Sequence, residues 1–399
     1  MNQNLTLAIK IGWVDMRNLS EIRIAYISTY YPQRCGIAAY TSFLIEGIRK
    51  VSPEIYVRVI AEKEALAVKE EFFEVVPCWS REEDYVEQIL PHLDDIDVLH
   101  VQHEYSIYKF DDRLPTLLNK VPEEIRKIIT IHCVRPAQVS ERWKVDEEYA
   151  GKIAKLADHV IVHLDSQKEI LLRLGLPSEK ISVIPHGTKI IEVDREASRR
   201  RLGLPLDGNI LLMFGFVKPH KCLHIAVEAL NLIRKECENT YLFIAGGLAP
   251  TASEEHRHYA DFLKRKIEEL HLEENVIFPN KYYPDEEVPY LFNACDIVLF
   301  PYYEEDRSSS GSLHLAIGAG KPVIASRIPK FEELKHISDE LLVLPYNSEV
   351  IAKLALRILK EPNFRNHIAK RTEAYRKLTS WKNTATKHLE LYNRIVCRE

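Results

Sequence analysis

The chain has 399 residues, 46% apolar and 28% charged, with a formal net charge of -5. That is an ordinary globular balance over more length than one hydrophobic core usually organises, so two domains are expected. No Lys/Arg excess on the scale of a face marks a nucleic-acid binder, and no run of about 18 apolar residues marks a transmembrane helix.

Seven cysteines, at 35, 78, 133, 222, 237, 295 and 397, contain no CxxC pair. An odd count without such spacing speaks against a disulfide framework or a zinc site and fits a reducing, cytoplasmic setting. The N-terminus carries no signal-peptide pattern, because Lys10, Asp15 and Arg17 break up the apolar positions. Residues 1–20 are read as an extension, since the first convincing strand begins at Ile22.

From there short β-branched runs alternate with amphipathic stretches. The first half predicts strands at Ile22–Ser28, Tyr56–Ala61, Val98–His103, Ile128–His132, His159–His163 and Ile181–Pro185. The second half predicts them at Ile210–Gly215, Tyr241–Ala245, Val276–Pro279, Ile297–Pro301, Val323–Ser326 and Leu341–Leu344. Several are apolar on consecutive residues, as expected of parallel strands covered on both faces by helices. The expected class is therefore α/β, with two Rossmann-like domains facing a central cleft. Their boundaries are read as 21–188 plus 380–399 for the first and 189–379 for the second. Ligands of such sheets gather where loops and helix N-termini meet the carboxyl ends of strands.

Residues just after the strands are therefore the candidates. Gly36 opens a helix after the first strand, where a small residue lets a ligand approach the backbone. His103 and Glu104 end one strand and His132 another, so both tips could line one cleft. Gly215 ends the first strand of the second half and leads to Lys218 and Lys221, two cations beside a helix start that can neutralise a diphosphate. Arg307 precedes Ser308, Ser309, Ser310, Gly311 and Ser312 before a helix read as His314–Ala319. Free backbone N–H groups, hydroxyls and a guanidinium fork together make an anion cradle.

These segments, taken in order, resemble glycosyltransferase family 4, of the GT-B architecture. The likeness is carried by Arg34-Cys35-Gly36-Ile37-Ala38, Ile131-His132, Val183-Ile184-Pro185-His186-Gly187, and Phe214-Gly215 with Lys221. It continues through Val276-Ile277-Phe278, Pro284-Asp285-Glu286 and the stretch from Ala316 to Ser326. Ser380-Trp381 resembles the start of the family's C-terminal helix, which crosses back over the N-terminal domain.

The resemblance implies a retaining hexosyltransferase of carbohydrate biosynthesis, using a nucleotide-sugar donor and a carbohydrate acceptor without an essential metal or other cofactor. GDP-mannose is the favoured donor and UDP-glucose the second; homo-oligomerisation is left open. Gly36 and His132 would face the donor sugar, and Lys221 would hold the diphosphate. Three positions depart from the family pattern. The usual Arg after the strand-end glycine is Phe216, the usual small residue after the lysine is Cys222, and the usual pair of glutamates falls on Arg307 and Leu315. In this reading Arg307 and Ser308–Ser312 take over as the clamp, with His132, Lys221 and Arg307 catalytic. The alternatives are a sugar-nucleotide epimerase of the same fold, a phosphorylase, or an inactive sugar-nucleotide-binding scaffold.

Overall fold

The computed structural model describes residues 21–397 apart from 34, 140–143, 250 and 304–307. The expected N-terminal extension, 1–20, lies outside the described residues. Fourteen strands form two sheets among the described residues. The first holds β1 (Arg23–Ser28), β2 (Tyr56–Glu62), β3 (Val68–Lys69), β4 (Phe73–Trp79), β5 (Val98–His103), β6 (Arg126–Ile131), β7 (His159–Val162) and β8 (Ile181–Val183). The second holds β9 (Asn209–Phe214), β10 (Thr240–Ala245), β11 (Val276–Ile277), β12 (Ile297–Phe300), β13 (Val323–Ser326) and β14 (Leu342–Val343).

The spatial orders are β3-β4-β2-β1-β5-β6-β7-β8 and β11-β10-β9-β12-β13-β14. All pairings are parallel except β3 with β4. Central strands β5 and β12 are buried at every residue; β12 is accordingly apolar throughout rather than alternating, while β5 also buries His100, Gln102 and His103. Each such Val, Ile or Leu contributes on the order of 1.5–3 kcal/mol of burial.

The strand order reverses beside β1 and beside β9, which places the two switch-point crevices between β1 and β5 and between β9 and β12. The segments after these four strands carry Gly36, Glu104, Lys218 and Ser308. The last helix, Trp381–Val396, returns to pack on helix Gly36–Val51. Tyr392 and Tyr26 share a hydroxyl–hydroxyl hydrogen bond of 2.7 Å beneath it. The chain crosses between the sheets after β8 and again at Thr379, where Thr188 N–H donates to the Thr379 carbonyl at 2.7 Å. Trp381 locks this crossing: a Cβ on Gly187 would lie 2.3 Å from its ring.

Two predicted details change. Strands β3 and β4 were not expected from the sequence; Pro77 sits in β4, and β4 pairs antiparallel with the two-residue edge strand β3. The helix after the serine loop runs Gly311–Gly318, beginning three residues earlier than the expected His314.

Candidate functional site

A cavity of about 450 Å³ opens between the two sheets, beside both crevices. From the first domain it is lined by Gly36, Tyr40, Glu104, His132 and Arg135, and from the second by Ser308, Ser309, Gly311 and Leu315, with His163 and His186 between. An isolated antiparallel bridge between Cys133 and Ser308 ties its two walls together.

Two helix N-termini face this space from opposite sides. Helix Gly36–Val51 is capped by Cys35, whose Sγ accepts from Ala38 N–H at 3.3 Å. A Cβ on Gly36 would meet no described atom within 4 Å, so the glycine leaves its helix end open to the cavity. Helix Gly311–Gly318 is capped by Ser310, whose hydroxyl accepts from Leu313 N–H at 3.2 Å. Each N-terminus carries roughly half a positive charge and backbone N–H groups without helical partners, so the pair favours an anion between them.

Beneath the serine loop lies a carboxylate that sequence reasoning did not single out. Glu333 is 4% exposed. It accepts from the Ser309 hydroxyl at 2.9 Å and from the Tyr375 hydroxyl at 3.0 Å, and lies 3.2 Å from His314 Nε2. Burial alone would raise its pKa, but His314, Ser309 and Tyr375 together hold it down to about 2. His314 Nδ1 meets the Thr188 hydroxyl at 2.7 Å, so this network reaches the domain crossing. Lys330 donates to the Ser308 hydroxyl at 2.6 Å, giving the loop a cation in place of bulk water.

Burial favours the neutral form of the three histidines on the cavity wall. Burial, reinforced by neighbouring imidazoles, keeps His132 well below the usual histidine range. Desolvation brings His163 to about 4 and His186 to about 3. His132 Nε2 is 2.9 Å from Gln102 Oε1, and its Nδ1 is 3.1 Å from His163 Nε2.

The sequence candidates thus separate. Gly36, Glu104, His132, Ser308, Ser309, Gly311 and Leu315 come together on one cavity. Ser310 caps the helix below it and Ser312 stands in that helix's first turn. Arg307 lies outside the described residues. Gly215, Lys218 and Lys221 form the neighbouring β9 loop and do not line the cavity. There Gly215 has φ +96°, and a Cβ on it would come within 2.6 Å of Lys221 Nζ, which donates to the Phe214 carbonyl at 3.2 Å. Cys222, where the family pattern has a small residue, has φ +49°, a conformation glycine adopts at less cost. Phe216 stacks on Tyr282, with ring centroids 6.3 Å apart.

His103 is a correction. It faces away from the cleft, is 0% exposed and stacks on Tyr108 at 5.7 Å, with neither ring nitrogen hydrogen-bonded. The reason is strand alternation: His103 shares a face with Leu99 and Val101, so it is drawn into their apolar cluster. Arg135, which the sequence reading passed over, lines the wall near Glu104 and donates to Asp146 at 2.8 Å.

Comparison with known proteins agrees with this layout. Residues 55–190 match the family described as Glycosyltransferase Family 4, and residues 194–375 match that described as Glycosyl transferases group 1. The D-inositol 3-phosphate glycosyltransferase of Corynebacterium glutamicum (strain R) is 26% identical over 247 residues, covering 59% of this chain and 56% of that protein. An uncharacterized glycosyltransferase of Methanocaldococcus jannaschii is 27% identical over 244 residues, 58% of this chain and 59% of its own. The chain therefore spans little more than half the length of these curated relatives. Among solved structures, Anabaena HepE in complex with UDP superposes with a TM-score of 0.71 at 17% identity, over 94% of this chain and all of that one. Sucrose-phosphate synthase from Thermosynechococcus elongatus gives 0.73 at 21%, over 94% and 99%. These two likenesses are of fold, with two parallel-sheet domains in the GT-B arrangement. Two adjoining family matches on that fold decide the membership: the chain belongs to glycosyltransferase family 4.

Proposed function

We propose that the chain transfers a hexosyl group from a nucleoside diphosphate hexose to a hydroxyl of a carbohydrate or other acceptor, with retention and without a metal ion. The observation that carries this reading is the pair of helix N-termini, at Gly36 and Gly311, opening onto one cavity from opposite domains. A leaving diphosphate gathers negative charge as the anomeric bond breaks. Donors already aimed at that charge are usually the largest catalytic contribution, each on the order of 3–4 kcal/mol.

In this reading Gly36 and Gly311 present helix N–H groups, and Ser308 and Ser309 present hydroxyls, to the diphosphate. Lys221 supplies an ammonium from the β9 loop, with Lys218 beside it, and Arg307 extends the serine clamp. The bond from the anomeric carbon to the diphosphate oxygen breaks, and the acceptor oxygen bonds to the same face of the sugar. Its proton passes to the departing phosphate oxygen, so no carboxylate base is required. His132 and Glu104 stand on the wall assigned to the sugar and the acceptor.

GDP-mannose and UDP-glucose are the donors proposed. HepE has been crystallised with UDP-glucose, which supports the second. A thermal-shift screen of GDP-, UDP- and ADP-sugars tests the reading, since a ligand at about 100 times its dissociation constant stabilises its site by about 2.7 kcal/mol. No shift with any of them counts against it. Leu315, standing on the cavity wall at a position where the resemblance implies a glutamate, favours one alternative, a scaffold that binds a donor without transferring it.

A further inference from the structure

Three imidazoles line the cavity, His132, His163 and His186, and hydrogen-bond logic leaves only one of them with a nitrogen for a ligand. His163 Nδ1 lies 2.8 Å from the Ile184 carbonyl oxygen. A carbonyl can only accept, so that nitrogen carries the proton and, in a neutral ring, Nε2 is a bare lone pair. It faces His132 Nδ1 at 3.1 Å, which must therefore donate. His132 Nε2 is then the lone pair; Gln102 Oε1 lies 2.9 Å from it, so this proton order requires the Gln102 amide with its oxygen and nitrogen ends exchanged, which turns an N–H donor toward the ring. Both nitrogens of His132 and both of His163 are spent inside the protein.

His186 is different. Its Nδ1 lies 2.8 Å from the Gly187 carbonyl oxygen, so Nδ1–H donates there. The ring plane is fixed by His314, stacked with centroids 4.9 Å apart, and by Tyr40 and Trp381 packed edge-on at 5.2 and 5.6 Å. Among the described residues His186 hydrogen-bonds through Nδ1 and not through Nε2. Nε2 stands 4.0 Å from where a Cβ on Gly311 would lie, beside the open helix end. Desolvation favours the neutral ring, so this nitrogen is a fixed acceptor.

We propose that His186 Nε2 accepts a hydrogen bond from a hydroxyl of the transferred hexose and so determines which sugar-bearing donors the cavity holds. The assignment rests on the donor reading given above. An ionised phosphate offers only acceptor oxygens, so a bare imidazole nitrogen gains nothing from the diphosphate. A sugar hydroxyl can donate, and a site built to accept from it discriminates against ligands lacking that hydroxyl. On this wall the Glu104 carboxylate and His186 Nε2 are both side-chain groups able to receive one.

The test is titration calorimetry on the full chain and two variants, with UDP, GDP, UDP-glucose and GDP-mannose. His186→Phe keeps an aromatic ring and removes the nitrogen. It should weaken the better-bound hexose donor at least about fivefold while changing its parent diphosphate less than about twofold. His186→Gln, whose amide oxygen reaches near the place of Nε2, should recover most of the loss. Equal losses for the diphosphate and its sugar, or no loss in His186→Phe, overturn the assignment while leaving the donor reading intact. Wild-type protein that binds none of the four overturns the donor reading and this inference with it. Long-range proton–nitrogen spectra of histidine-labelled protein give a readout independent of any ligand. They should show His186 protonated on Nδ1, and a proton on Nε2 overturns the proposal even where His186→Phe fails to fold.

Discussion

Glu333 and Ser309 are joined by a 2.9 Å hydrogen bond, the hydroxyl donating to a carboxylate that is 4% exposed. Ser309 stands on the cavity wall, so the buried charge fixes the loop that would hold the donor. Glu333→Gln keeps the shape and removes the charge that pairs with His314. A loss of about 1–3 kcal/mol in urea unfolding is expected, with weaker nucleotide binding by calorimetry. Ser309→Ala should cost less stability and a comparable share of binding. Unchanged stability in Glu333→Gln would show the carboxylate to be held by packing alone.

Acid should destabilise the protein well before its carboxylates titrate. His163 and His388 are held at about 4, and His103 and His186 at about 3, each chiefly because burial penalises the charged ring. The unfolded chain binds protons near pH 6.5 while the folded one does not, so this stability is present above about 6.5 and falls as pH drops toward 4. Glu333, depressed to about 2, adds a second loss only below its unfolded value of 4.5. Urea midpoints measured from pH 7.5 to 5 should fall steadily, and His103→Phe should flatten the slope. A flat profile would contradict the neutral-histidine assignment.

Lys221 is expected to act on the diphosphate. Lys221→Ala should lower transfer roughly a hundredfold, the scale of losing one charge-stabilising donor. Circular dichroism melts made alongside should stay within a few degrees of the parent. A melting loss as large as the activity loss would mark the lysine as a brace for the β9 turn, where it donates to the Phe214 carbonyl.

Two glycines should behave oppositely. Gly187→Ala must displace the Trp381 ring, since its Cβ would lie 2.3 Å from that ring, and a lower melting temperature is expected. Gly36→Val projects into open cavity instead. It should leave stability nearly unchanged and weaken UDP or GDP binding by about tenfold, measured by calorimetry. The reverse pattern would move the anion site away from Gly36.

Much of this arrangement is legible in the sequence because parallel-sheet physics is local. Ile210–Phe214 and Ile297–Phe300 are apolar on successive residues, and the residues after them are where open sheets bind ligands. Strand β4 was missed because Pro77 and the acidic Glu70-Glu71 before it read as a loop. Glu333 was missed because Phe331-Glu332-Glu333-Leu334 has the pattern of an ordinary surface turn, and its burial depends on Tyr375, far along the chain. His103 was misplaced because a strand tip was counted as one position, although successive residues there point to opposite faces. Such contacts between His186, His314 and Trp381 exist only once both domains are folded.

The central claim is sugar transfer, and product analysis tests it most directly. Purified protein would be incubated with radiolabelled UDP-glucose and GDP-mannose over a mixed panel of carbohydrate acceptors, with the anomeric configuration of any product read by proton NMR. The account predicts labelled product from one of these donors with the donor's anomeric configuration kept, and its loss in Lys221→Ala. A donor that binds without being transferred would make the chain a scaffold. A donor recovered as its epimer would make it an epimerase, and either result would contradict the account.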